Sequence, residues 1–114
     1  MLLELIHVED RNLRIETRIS PGREYVIGRK SDDLVPDIDL MAFGQGKQGV
    51  SRRHAALKLD GDTLFIKDLG STNSTFVEGR KLRGNEQLAV KSGDRIQMGN
   101  LMLTIHFRDV SDTE

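Results

Sequence analysis

Apolar side chains recur at every second position in several runs of this chain, and nearly every run stops at a turn signal. Leu13, Ile15, Thr17 and Ile19 alternate with Arg14, Glu16 and Arg18. That is the pattern of a half-buried strand, whose successive side chains leave on opposite faces. Leu57 and Leu59 run into Asp60-Gly61-Asp62, and Leu64 and Ile66 run out of it. An Asp-Gly step between alternating runs is a strong hairpin signal. Ile96 and Met98 lead to Gly99-Asn100, and Leu101, Leu103, Ile105 and Phe107 continue beyond. Tyr25 and Ile27 precede Gly28, residues 75–77 read as a short strand, and Ser92-Gly93-Asp94 reads as a turn. Helical periodicity is nearly absent and no internal repeat is visible. The expected fold is all-β: an antiparallel β-sandwich of two twisted sheets.

A chain of 114 residues fits one domain and can bury a real core. We assign the sandwich to residues 1–108 and a polar, fraying tail to 109–114, with Arg108 at the junction. Cysteine is absent, so there is no disulfide framework and no thiolate metal site. His7, His54 and His106 lack metal-ligand spacing, and no cofactor is expected. The formal net charge is −1 and aromatic residues make up 4%, which argues against nucleic acid as a partner. No apolar run approaches the roughly 20 residues of a membrane helix. Residues 1–6 lack the basic leader of a signal peptide. The expectation is a soluble cytoplasmic domain without a membrane partner.

Two stretches interrupt the strand pattern. Residues 30–36 are charged and end in Pro36, and residues 41–49 hold Gly44, Gly46 and Gly49; both read as loops. Gly46-Lys47 does not belong to a nucleotide P-loop. The glycine required five residues earlier is Met41, and Gln48 stands where Ser or Thr is needed.

The chemistry-bearing residues fall in three polar blocks: Gly28-Arg29, Ser51-Arg52-Arg53-His54, and the run from Asp68 to Gly79 containing Ser71-Thr72-Asn73-Ser74-Thr75. A phosphothreonine carries about −1.5 to −2 charges and three acceptor oxygens. Arginine offers a planar fork of donors to such a group and stays charged. Hydroxyls complete the shell without added charge, and a carboxamide both donates to and accepts from a peptide bond. Nothing in the set activates a nucleophile. Ser51, His54 and Asp68 can be drawn as a hydrolase triad, but no nucleophile elbow or oxyanion signature accompanies them. No catalytic residue is assigned, and the chain is not expected to be an enzyme. Asn73-Ser74-Thr75 also matches a glycosylation acceptor, which matters only in a secreted protein.

Together and in this order, the three blocks resemble the signature of the forkhead-associated (FHA) domain, over about residues 25–107. The resemblance implies an FHA/SMAD-like sandwich that binds phosphothreonine peptides through loops at one end. It implies that Arg29 pairs with the phosphate, that Ser51 donates its hydroxyl, and that Arg52 adds a contact. It implies that Thr72 helps hold the phosphate and shapes a pocket for the threonine methyl, while Asn73 bonds the peptide backbone. Gly28 resembles a position of close backbone approach, and His54 one that braces the loops. The implied partner is a phosphothreonine-containing protein, a Ser/Thr kinase or its substrate, with the domain acting as a signalling adaptor. A phosphate-independent interaction sandwich is the alternative.

The sequence departs from the family in two places. Position 74 is usually glycine and here is Ser74. A serine at positive φ costs on the order of 1 kcal/mol, so we expect a different turn, or the unusual conformation shifted to Asn73. The spacing from Arg29 to Ser51 is also longer than usual. The glycine-rich part either reads peptide residues after the phosphothreonine or is merely a longer loop. Lys30, Lys47, Arg52 and Arg53 are expected to form a basic rim that steers an anionic peptide, with Arg53 alternatively only solvated. Thr113, beside Glu114, is a candidate kinase target that a second copy could bind.

Overall fold

The alternation along the sequence becomes alternation of burial. On β1 (Leu2–His7), Leu3 and Leu5 are buried while Leu2 and Glu4 stay partly exposed. On β11 (Leu101–Arg108), Leu101, Leu103 and Ile105 are buried and Met102, Thr104 and His106 are not. The computed structural model describes residues 1–44 and 49–110. The other strands are β2 (Arg14–Arg18), β3 (Glu24–Gly28), β4 (Ile38–Asp39), β5 (Ala55–Asp60), β6 (Thr63–Asp68), β7 (Thr75–Val77), β8 (Arg80–Lys81), β9 (Leu88–Val90) and β10 (Arg95–Met98).

They form a six-stranded sheet, ordered β2-β1-β11-β10-β7-β8, and a five-stranded sheet, ordered β4-β3-β5-β6-β9. The expected two-sheet sandwich is therefore the observed one. The strand ladders are antiparallel except for β3 and β4, where Ile27 lies parallel to Ile38. The Asp-Gly and Gly-Asn signals close the β5–β6 and β10–β11 hairpins, with Gly61 at φ 60° and Gly99 at φ 62°. Between the sheets lie Leu3, Leu57, Leu64, Ile96, Leu103 and Ile105, each at most 1% exposed. Burying a side chain of this size contributes about 1.5–3 kcal/mol. A core built of many such residues can hold a chain that has no cysteine for a disulfide.

Two features differ from the sequence reading. Residues 40–43, whose last three fall within the expected loop, form a 3₁₀ helix (Leu40–Phe43). The Asp39 side chain accepts the Met41 N–H at its start, and Leu40 and Phe43 are buried. Two apolar side chains three apart share a face on a helix with three residues per turn, so this turn is pinned to the core. Arg108 is not frayed: it ends β11 opposite Leu2.

The register carries the site. Ile27 pairs with Ala55, Ala55 with Asp68, and Met98 with Thr75. The loops after β3, before β5, after β6 and after β10 therefore emerge at one end of the sandwich. No helix among the described residues is long and apolar enough to cross a membrane.

Candidate binding site

The site begins with a backbone approach that only glycine permits. A Cβ at Gly28 would sit 1.9 Å from the Arg52 carbonyl oxygen. With no side chain there, the chain leaving β3 lies directly against the segment entering β5. The Arg29 N–H donates to the Ser51 carbonyl at 3.2 Å, and the His54 N–H donates to the Ile27 carbonyl at 2.9 Å. The Arg29 side chain is anchored as well, its Nε donating to the Val50 carbonyl at 2.9 Å. Its two terminal nitrogens have no acceptor among the described residues, so the outer half of the fork is available.

His54 is fully buried and ties two loops together. Its Nδ1 accepts the Ser51 N–H at 3.0 Å, which leaves Nε2 to carry the proton and donate to the Ser74 carbonyl at 2.7 Å. Burial pushes the His54 pKa down. The Ser74 carbonyl and the Asp68 charge push it up by less. The ring is thus a neutral brace with both nitrogens used. A hydrolytic triad is absent from this geometry: the Ser51 hydroxyl accepts the Thr72 N–H at 3.1 Å and does not bond His54.

Asp68 organises the loop that follows β6. One carboxylate oxygen accepts the Gly70 and Ser71 N–H groups at 2.9 Å, and the other accepts the Ser71 hydroxyl and the buried Thr75 hydroxyl. Partial burial works to raise the Asp68 pKa. The Ser71 and Thr75 hydroxyls and the two N–H groups outweigh it and hold the carboxyl below the usual range. Asn73 Nδ2 donates to the Gly49 carbonyl at 2.8 Å. Gly49 has φ 78°, and a Cβ there would lie 2.6 Å from Asn73 Nδ2.

The expectation for position 74 is corrected. Ser74 itself takes the left-handed conformation, at φ 67°, and the loop does not switch turn or shift the strain to Asn73. The reason is tertiary. The Ser74 carbonyl must face the buried His54 ring, and Thr75 is held by its hydroxyl bond to Asp68.

Arg29, Ser51, Arg52 and Thr72 line one open cleft of about 520 Å³. Asn73 lies beside Thr72 with its amide turned to Gly49, while Gly28 and His54 lie behind the cleft as its support. Arg53 also lines the cleft, as do two residues that sequence reasoning missed, Asp33 and Leu34. Nothing in a charged loop signals which of its residues turns inward. Gly49 reads from the sequence only as part of a loop; a glycine directly before Val50 and Ser51 is the one local hint of its positive φ. Lys30 faces a neighbouring depression with Val35. Lys47, with the rest of residues 45–48 of the glycine-rich stretch, and Thr113 lie outside the described residues.

The FHA domain family profile matches residues 25–99. The protein FraH of Nostoc sp. is 34% identical over 96 residues, which span 83% of this chain and 32% of FraH. A structure from a study of phosphothreonine-dependent FHA domain interactions superposes with a TM-score of 0.72 at 24% identity, covering 96% of this chain and all of that one. The N-terminal FHA domain of Saccharomyces cerevisiae Rad53p, solved with a phosphothreonine peptide, gives 0.76 at 20% identity, covering 95% of this chain and 94% of that one. The solved structures establish the fold. The family profile, matched across all three polar blocks, places this chain in the FHA domain family.

Proposed function

We propose that this domain recognises phosphothreonine in a partner protein and serves as an adaptor downstream of a cytoplasmic Ser/Thr kinase. One observation carries the reading. Arg29, Ser51, Arg52 and Thr72 share a cleft in which the protein's own hydrogen bonds leave the outward donors unused. Arg29 is held by Nε and presents its terminal nitrogens. Ser51 accepts from Thr72, so its own proton is free to donate. A dianionic phosphate accepts from both groups, and charge-assisted bonds of this kind are roughly twice as strong as neutral ones. Arg52 closes the shell, and Thr72 borders the threonine methyl. Asn73, oriented by Gly49, has its carboxamide oxygen left to accept from the peptide backbone.

The test is calorimetric titration of wild type and Arg29→Ala with matched phosphothreonine, phosphoserine and unphosphorylated peptides. The reading expects binding of the phosphothreonine peptide, weaker binding of phosphoserine, and loss of both in Arg29→Ala. Equal binding of the unphosphorylated peptide would instead favour a phosphate-independent interaction surface.

A further inference from the structure

Three guanidinium-bearing residues line the cleft, and so does one carboxylate, Asp33. No described residue forms an ion pair or hydrogen bond with that carboxylate. An acidic side chain at a phosphate site weakens the site's attraction for phosphate, so its position calls for a ligand that gains from it. We infer that Asp33 is a specificity residue. It selects phosphothreonine peptides with a lysine or arginine close to the phosphothreonine and disfavours peptides with acidic flanks.

Asp33 is held in place by its own loop. The Ser31 N–H donates to the Leu34 carbonyl at 2.9 Å and the Leu34 N–H returns to Ser31 at 3.3 Å, which makes residues 32 and 33 the tip of a closed turn. Asp39 Oδ1 accepts the Lys30 N–H, and Asp37 Oδ2 accepts the Val26 N–H at 2.8 Å, so both ends of the loop are tied to strands. The two aspartates of the tip diverge: Asp33 lines the phosphate cleft, while Asp32 lines the adjoining depression with Lys30 and Val35. Once a phosphate occupies the Arg29 fork, Asp33 is left as an uncompensated acceptor at its edge. A peptide ammonium or guanidinium supplies the missing charge. A peptide carboxylate meets both the phosphate and Asp33. Leu34, half-buried in the same wall, offers the aliphatic stem of such a side chain an apolar rest.

The inference rests on the phosphothreonine reading, and its test separates the two. A neutral-flanked phosphothreonine peptide and variants carrying lysine or glutamate at each flanking position are titrated into wild type, Asp33→Asn, Asp33→Lys and Asp32→Asn. At one flanking position, lysine should bind wild type about three- to fivefold more tightly than glutamate, the scale of an exposed ion pair. The preference should vanish in Asp33→Asn, reverse in Asp33→Lys and persist in Asp32→Asn. If the neutral peptide binds but the scan is flat, or Asp33→Asn keeps the preference, the inference is overturned alone. If no phosphothreonine peptide binds wild type, the underlying reading fails and the inference fails with it.

Discussion

The carbonyl of Ser74, a residue at φ 67°, accepts the Nε2 proton of buried His54 at 2.7 Å. With its counterpart, the Ser51 N–H on Nδ1, this bond ties together the two loops that carry Ser51 and Thr72, beneath the direct bonds from Thr72 to Ser51 and from Asn73 to Gly49. Neither the serine's strained backbone nor the histidine's burial is explained alone; each is the other's reason.

Ser74→Gly should therefore stabilise the domain. Glycine adopts positive φ without a Cβ penalty, at the cost of a more flexible unfolded chain. We expect a gain of about 0.5–1 kcal/mol in urea denaturation, with ligand affinity little changed. A large gain in phosphopeptide affinity would show that the wild-type loop is misshapen for binding.

His54 gives the stability curve a sign. Its folded pKa lies below the ordinary value of 6.5 because burial disfavours the cation. As pH falls below about 6.5 the unfolded chain takes up a proton that the folded chain refuses, so stability falls until the folded pKa is reached and then levels. Melting temperature should drop from pH 7 to pH 5 in wild type. A His54→Gln variant, though weaker throughout, should lack that slope.

Asp68 acts in a separate window. Its folded pKa lies below the ordinary 3.8, so its contribution is complete above that value and is lost as pH falls through the folded pKa. Asp68→Asn should cost about 1–3 kcal/mol at neutral pH, the penalty for breaking hydrogen bonds to a charged acceptor. Chemical denaturation at pH 7 checks the size. The gap between mutant and wild type should narrow below pH 4.

Gly28→Ala should be the most damaging conservative change at the site. The added carbon would lie 1.9 Å from a backbone oxygen, and backbone cannot rotate away as a side chain can. We expect a loss of about 2–4 kcal/mol, typical of severe overpacking, read as a lowered melting temperature. Any protein that remains folded should have displaced residues 51–53 and lost phosphopeptide binding.

The parts of the fold legible in the sequence were those set by local rules. Asp60-Gly61 and Gly99-Asn100 announce their hairpins because positive φ is a local demand that glycine meets. Leu101, Leu103 and Ile105 announce their face by period. The parallel β3–β4 pair left no such trace, since β4 is only two residues long. The short turn at Leu40–Phe43 was hidden because four residues are too few for a helical period. Arg29, Ser51, Arg52 and Thr72 were legible as a set, and the structure places them on one cleft. Ser74 was misread because its conformation is imposed by His54, twenty residues away. Asp33 is not legible because nothing in a run of charged residues distinguishes it from Asp32; the closed Ser31–Leu34 turn puts Asp33 on the wall of the arginine-lined cleft and Asp32 on the adjoining depression.

The small helix that buries Leu40 and Phe43 divides the long connection between β3 and β5 into two spans with a fixed post between them. With Leu40 and Phe43 buried, the turn is a fixed point behind the acidic tip at residues 32–33. A designer could change that tip while the anchored turn holds its place.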